Sequence, residues 1–352
     1  MSDVDCYDYH LPEELIAQHP LETRSDARLL CVNRETGDLG HRYIRDLPDM
    51  LRPDDLVIVN DTRVVPARLV GRREATGGKW EGLFLRADAQ SGTWQILART
   101  RGRPKVGERI VLFDRSQQES LALILVARGQ GGTWIVQPTV SGHLDAMLEQ
   151  VGRVPLPSYI RGGVEQDTDE NRYQTVFANT SGSAAAPTAG LHFTAALLES
   201  LRHRNIRLAS VTLHVGVDTF RPITSDRLED HAMHTEWCAC PDETVAAIQE
   251  TRDRGGRVIA VGTTAVRTLE TAAKHSPAGE LSAWLGPTDL FIKPGFSFQI
   301  VDCLLTNFHM PRTTLMVLVS TFASRELIQR TYEEAVRQQY RFLSYGDAML
   351  IE

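Results

Sequence analysis

The chain has 352 residues, enough for one large core or two domains, and two fits the length better. Its 42% hydrophobic and 24% charged content are ordinary for a soluble globular protein, and no run approaches the roughly 18 apolar residues of a membrane span. The start, Met-Ser-Asp-Val-Asp-Cys, lacks the features of a secretory signal, and five cysteines without a C-x-x-C argue for reduced thiols and a cytoplasmic setting.

Read in chain order, a helical piece is expected over residues 12–18 and a strand over Arg28–Val32. Short β-type runs then recur at 56–59, 67–70, 80–85, 93–98, Arg109–Phe113, 121–126 and 133–136, separated by glycine turns such as Gly77-Gly78 and Gly131-Gly132. Strands at this spacing, with no helical period between them, predict a barrel or sandwich. After Val151 helices alternate with strands: Ala195–His203 helical, 208–215 extended, 244–253 helical, 257–261 extended, 264–274 helical. That alternation reads as α/β. The expected fold is therefore a discontinuous α/β domain, residues 1–60 and 151–352, with an inserted β-barrel-like domain, residues 61–150.

Net charge is −7, which disfavours a nucleic-acid partner only if the cations are dispersed. They are not. Between residues 63 and 109 lie Arg63, Arg68, Arg72, Arg73, Lys79, Arg86, Arg99, Arg101, Arg103, Lys105 and Arg109, against Glu74, Glu81, Asp88 and Glu108. Such residues can serve to blunt strand edges or to form a surface for phosphates.

Several short constellations could carry chemistry. Asn60-Asp61-Thr62-Arg63 closes an apolar strand, where Arg63 suits an anion and Asn-Asp equally suits an Asx-turn. Pro187-Thr188-Ala189-Gly190-Leu191-His192 feeds a helix, and Thr212-Leu213-His214-Val215-Gly216 ends a strand. Val261-Gly262-Thr263-Thr264 is a strand–Gly–helix junction, with Thr263 or Thr264 the expected N-cap and exposed amides suited to a carboxylate. His231, His234, Glu236, Cys238 and Cys240 could form a zinc site or a hydrogen-bonded polar site, and the H-E-x-x-H spacing is absent. Thr306-Asn307-Phe308-His309 precedes an apolar helix over Thr314–Phe322, and Tyr345-Gly346-Asp347 leads into a terminal strand.

Taken together and in this order, these segments resemble the S-adenosylmethionine:tRNA ribosyltransferase-isomerase family of queuosine biosynthesis. Leu-Pro-Glu-Glu-Leu-Ile-Ala-Gln-His-Pro (11–20), Asn-Asp-Thr-Arg-Val-Val-Pro-Ala-Arg-Leu (60–69), Pro-Leu-Pro-Ser-Tyr-Ile (155–160) and Tyr-Gln-Thr-Val-Phe-Ala (173–178) extend the likeness nearly end to end. Ser158 stands where the family usually has Pro, Asp218 where it has Gly, and the segment before Ser183 lacks its usual Pro-Gly. Asp218 adds a charge near His214 in sequence, with an expected effect on substrate affinity.

The resemblance implies an α/β domain with a β-barrel, and transfer of ribose from S-adenosylmethionine to the 7-aminomethyl-7-deazaguanine at the wobble position of tRNA. The products are epoxyqueuosine-tRNA, adenine and methionine. S-adenosylmethionine is a consumed co-substrate, so no metal and no further cofactor is expected, and the protein is expected to be a monomer. On this reading His214 or His234 is the base, Glu236 orients it, and His192 protonates the departing adenine. Asp61 and Asp347 read the guanine-like edge, while Thr263, Thr264 and Arg267 hold the methionine end. Arg63, Arg68, Thr188, Asn307, His309 and Tyr345 complete the substrate-binding set, and Arg99, Arg101, Arg103 and Lys105 contact tRNA phosphates. Two other classes fit parts of the pattern: a metal-dependent hydrolase or transferase built on His231, His234, Glu236 and Cys238, and a non-catalytic RNA-binding module built on the basic β domain. A conventional methyltransferase would need a Gly-rich nucleotide loop after a first strand, which is absent.

Overall fold

A computed structural model describes residues 3–88, 90–216, 222–277 and 280–352. The chain divides into two compact units: residues 1–63, 159–162 and 172–352 form the larger, and residues 64–158 and 163–171 the smaller. The expected boundary at 150/151 falls inside the smaller unit, because Gly152–Arg153 adds antiparallel to Leu69 and Arg68.

The smaller unit is a closed six-stranded antiparallel barrel. Its strands run Arg68–Arg73, Lys79–Ala87, Trp94–Thr100, Thr133–Pro138, Glu119–Arg128 and Arg109–Phe113, and the last pairs back on the first. Closure needs Gly71: a Cβ there would sit 2.3 Å from the Val111 carbonyl oxygen. Alternating residues fill the interior, including Trp80, Trp94, Ile96, Leu123 and Trp134.

The larger unit carries a nine-stranded mixed sheet. In spatial order its strands are Trp284–Thr288, Glu236–Cys240, Arg207–Leu213, Leu56–Asn60, Val258–Val261, Cys303–Asn307, Ala348–Ile351, Arg28–Val32 and Leu39–Tyr43. The four strands from Arg207–Leu213 to Cys303–Asn307 are mutually parallel. Both faces of this centre are covered, which is why Leu56–Asn60, Val258–Val261 and Cys303–Asn307 are buried at every position. One face packs Leu56, Ile58, Val258, Ala260 and Leu304 under the helices Thr263–His275 and Thr314–Phe322. The other packs Val57, Val59, Ile259 and Leu305 against Phe193 and against Leu197 and Leu201 of the Ala195–His203 helix.

Some local expectations change. Residues 12–18 hold only a short 3-10 turn, Glu13–Leu15, since a segment between Pro12 and Pro20 is too short to pay for a helical nucleus; Ile16 is extended and bridges to Phe342. The helix expected from 264 starts at Thr263, and its N-cap is Gly262 at φ 89° rather than a threonine.

Candidate active site

Parallel strands deliver their following residues to one end of a sheet, and that end is where open α/β folds bind ligands. Here the ends of Leu56–Asn60, Arg207–Leu213, Val258–Val261 and Cys303–Asn307 present Asp61, His214, Gly262–Thr264 and Asn307–His309. The antiparallel strands contribute Glu236 at the start of Glu236–Cys240 and Asp347 just before Ala348–Ile351.

Asn60 ties two of these ends together. Its Nδ2 donates to the Leu213 carbonyl (3.0 Å) and to Thr264 Oγ1 (3.1 Å), while its Oδ1 accepts from the Leu213 N–H (3.0 Å) and the Thr62 N–H (3.1 Å). All four of its hydrogen-bonding positions are thus used within the protein. The neighbouring Asp61 accepts from Thr212 Oγ1 at 2.6 Å and lies near enough to His214 to favour its charged form. Burial outweighs that influence and lowers the His214 pKa below its ordinary value, so the ring is neutral at pH 7. His214 Nδ1 meets Thr62 Oγ1 at 2.8 Å, and one ring face is covered by Trp237.

Behind this group lies a buried charge pair. Glu236 is 4% exposed and Arg267 2% exposed; Arg267 Nη1 donates to Glu236 Oε2, and its Nε donates to the Leu290 carbonyl at 3.2 Å. Glu236 Oε1 accepts from the Gly216 N–H at 2.7 Å and stands 3.5 Å from His234 Nε2. Burial works to raise the Glu236 carboxyl, but the His234 bond, the Arg267 charge and the Gly216 N–H outweigh it and hold its pKa down at about 2. Arg267 therefore faces Glu236 rather than the open cleft, unlike its expected role at the methionine end. Its Nη2 makes no hydrogen bond among the described residues.

The second half of the site is a neutral network. Thr188 Oγ1 donates to Asn307 Oδ1 at 2.9 Å, and Asn307 Nδ2 lies 3.3 Å from His192 Nε2 and 3.1 Å from the Leu343 carbonyl. Burial, reinforced by the charges of Arg341 and Arg24, lowers the His192 pKa to about 4. A ring that is neutral at pH 7 and accepts from an amide is poorly suited to be the standing acid expected from sequence. His309, with a pKa lowered to about 3 by burial, meets Thr306 Oγ1 at 3.0 Å, and its backbone N–H donates to the Tyr332 hydroxyl. Asp347 is spent on the fold: its two oxygens accept the Arg28 and Arg341 N–H groups, at 2.9 and 2.8 Å. Each oxygen keeps a further lone pair, on a side chain that is itself buried. Tyr345 is buried edge-on against Tyr173.

An open cleft beside this network is lined by Thr188, Thr306, Asn307 and His309 and by Val215 and Gly262–Thr264, the chain neighbours of His214 and of the helix start; His214, His234 and Glu236 themselves do not line it. A neighbouring one of about 300 Å³ shares Thr188, Asn307 and His309. The cleft holds the opening turn of the 13-residue Thr263–His275 helix, a setting suited to an anionic group.

The remaining predicted residues lie elsewhere. Arg63 is exposed in the larger unit, and Arg68 belongs to the barrel, where it donates to the Gly163 carbonyl and pairs with Glu81 at 3.3 Å. Of the other barrel cations, Arg72, Arg73 and Arg109 are paired with Glu119, Glu108 and Glu74. Arg99, Arg101, Arg103 and Lys105 are exposed and have no ion pair among the described residues. The Arg73–Glu108 pair braces their loop from below, with Arg73 Nη1 donating to the Arg101 carbonyl at 3.0 Å and Glu108 accepting the Lys105 N–H at 3.1 Å.

Among the described residues, no group of three or more His, Cys, Asp or Glu is placed to hold a metal ion. Cys238 and Cys240 are buried in apolar clusters, and Glu236 is committed to Arg267 and Gly216. Asp218 lies outside the described residues. Thr62 and Trp237, which hold His214, were not singled out from sequence. Thr62 sits inside a motif whose acid and amide drew attention, and Trp237 is the outward neighbour of Glu236 on an alternating strand.

Clefts at the carboxyl ends of a parallel sheet, flanked by imidazoles and an ionised carboxylate, define an α/β enzyme with an appended barrel. Residues 4–351 match the family described as queuosine biosynthesis protein, and the chain belongs to that family. It is 45% identical over 349 residues to the S-adenosylmethionine:tRNA ribosyltransferase-isomerase of Staphylococcus saprophyticus, and 46% identical over 349 residues to the protein of that name from Macrococcus caseolyticus. Each match covers 99% of both chains. The crystal structure of an S-adenosylmethionine tRNA ribosyltransferase from Thermotoga maritima is 36% identical, covers 99% of this chain and 100% of its own, and superposes with a TM-score of 0.56. The chain is accordingly a ribosyltransferase-isomerase of queuosine biosynthesis.

Proposed function

We propose that this enzyme transfers and isomerises the ribosyl group of S-adenosylmethionine onto 7-aminomethyl-7-deazaguanine at the tRNA wobble position, giving epoxyqueuosine-tRNA, adenine and methionine. The observation that carries this reading, beside family membership, is the pairing of a neutral, half-buried His214 with an anion-ready helix start at the end of the same sheet. The sulfonium acidifies the 5′ carbon of the ribose, so a neutral imidazole can remove a proton there. Loss of adenine then opens the sugar, the amine of the modified base attacks, and the epoxide closes as methionine leaves.

In this scheme His214 is the base, its Nδ1 engaged by the Thr62 hydroxyl and its ring plane held by Trp237. His234, held by the ionised Glu236, takes a proton-relay role, and Arg267 stabilises Glu236 rather than substrate. The amides of Thr263 and Thr264 receive the methionine carboxylate, the Gly262 N–H being held by the Leu305 carbonyl at 2.8 Å, with Thr188 and Asn307 across the cleft. His192 acts as a hydrogen-bonding partner of Asn307. The electrophile comes from the substrate, so the protein needs neither metal nor additional cofactor. The exposed Arg99, Arg101, Arg103 and Lys105 meet the anticodon-stem phosphates. We place the enzyme in the cytoplasm as a monomer. All five thiols are free, and no helix among the described residues is long and apolar enough to cross a membrane.

The test is adenine release from S-adenosylmethionine in the presence of chelator, with and without tRNA carrying the aminomethyl base. Adenine and methionine formed together, and only with the modified tRNA, is the expected result. No adenine, from folded protein and verified substrate, overturns the proposal.

A further inference from the structure

A further cavity in the larger unit, open to solvent, is lined by Arg24, Arg172, His192, Ser344 and Tyr345, with small and apolar residues between them. None of its described lining residues is acidic, in a chain with a net charge of −7. Arg172 anchors itself on two backbone carbonyls, donating from Nη1 to Glu22 at 3.1 Å and from Nη2 to Leu21. That leaves three of its five N–H groups for another acceptor. Arg24 donates to the carbonyls of Gln174 (2.9 Å) and Arg172 (3.4 Å). The carbonyls that hold Arg172 position its guanidinium without neutralising it. Arg341, whose Nη2 donates to the His19 carbonyl, is close enough to act on His192, and its charge is partly offset by Asp347.

We propose that this cavity is a phosphate subsite, taking one phosphodiester of the tRNA beside the nucleotide that is modified. The proposal rests on the tRNA reading above and adds the place where the backbone is gripped. A phosphodiester presents two non-bridging oxygens to two guanidiniums, whereas a carboxylate is satisfied by a single fork. The position also fits: His192 lines this cavity, and Asn307, 3.3 Å from its ring, lines the reaction cleft. Base and phosphate of one nucleotide could therefore straddle the His192–Asn307 contact. Burial and the Arg172 charge lower the Arg24 pKa, a cost that a bound anion would relieve.

Two measurements test this. The first compares Arg172→Gln and Arg172→Lys with wild type in turnover and in anticodon-hairpin binding across salt concentrations. The expected result for Arg172→Gln is a KM for tRNA raised about tenfold, an unchanged KM for S-adenosylmethionine, and a salt slope shallower by about 0.7, the value for one single-strand phosphate contact; Arg172→Lys recovers the slope. The second needs no variant: phenylglyoxal modification of wild type, read by peptide mass, with Arg24 and Arg172 shielded by the hairpin RNA and not by S-adenosylmethionine. Unchanged tRNA KM and slope with no shielding overturns the subsite. A rise confined to the KM for S-adenosylmethionine assigns the pocket to its carboxylate, and shielding by inorganic phosphate but not by hairpin assigns it to free phosphate; either overturns the proposal. The shielding is read without turnover, so it is distinguishable from a failure of the ribosyl-transfer reading, which appears as absent adenine release.

Discussion

The indole of Trp237 lies flat on the imidazole of His214, with ring centroids 5.0 Å apart and planes inclined by 17°. Trp237 itself remains 39% exposed, so it forms a lid of hydrocarbon between the imidazole and solvent. Removing the lid should let the His214 pKa rise toward the ordinary imidazole value of about 6.5. The acid limb of the kcat/KM profile should then move to higher pH in Trp237→Ala, and stay near wild type in Trp237→Phe. A pH–rate series on the three proteins checks this; coincident profiles would remove His214 as the group that sets the limb.

Gly182 abuts the other side of the same ring. A Cβ at this position would lie 2.8 Å from His214 Nε2, and the backbone φ of 144° disfavours side chains as well. Gly182→Ala is expected to displace the imidazole and lower turnover by at least about tenfold, consistent with the sensitivity of catalysis to small misplacements. Steady-state kinetics beside a thermal melt separate this from unfolding, with turnover expected to fall more than stability does.

Glu236 makes acid stability predictable. Its folded pKa of about 2 lies below the unfolded value of about 4.3, so its contribution is complete above that unfolded value and is lost as pH falls toward 2. Glu236→Gln leaves Arg267 buried beside a neutral amide, which should cost on the order of 3 kcal/mol at neutral pH. The variant should also lose stability less steeply than wild type on acidification below pH 4. Urea unfolding at pH 7 and pH 3 gives both numbers.

The barrel cations separate into paired and unpaired sets, and only the second is available to a polyanion. Charge reversal at Arg101 and Arg103 should weaken tRNA binding and flatten its salt dependence. Reversal at Arg72, which holds Glu119 at 2.6 Å, should do so much less. Filter binding at several salt concentrations makes the comparison, and equal losses at both places would refute the division.

The texture of the sequence carried the architecture because barrel strands and buried parallel strands differ in their patterns. Lys79–Ala87 begins with alternating exposed and buried residues, while Leu56–Asn60 and Val258–Val261 are buried throughout. Residues 12–18 misled because apolar spacing alone does not show that a segment is too short to nucleate. Within the site, residue types at strand ends were readable and their partners were not. Asp347 looks like a base reader, and only the fold shows that its oxygens also hold the N–H groups of Arg28 and Arg341, the first of these 319 positions away in the chain. Arg267 looks like a carboxylate binder until Glu236 claims it. Arg24 and Arg172 carry no motif at all, and only the packing of distant loops brings them to one cavity.

The strand Ala348–Ile351 lies between Cys303–Asn307 and Arg28–Val32, and Arg28–Val32 has only Leu39–Tyr43 as its other neighbour. During synthesis, Arg28–Val32 and Leu39–Tyr43 must therefore wait as an isolated hairpin while more than three hundred further residues are made. The barrel strands pair among themselves and with Gly152–Arg153, and can be complete long before. Assembly of this enzyme on the ribosome should thus be staged, with the barrel protected early and Leu29 and Leu30 exposed until residue 351 has cleared the exit tunnel.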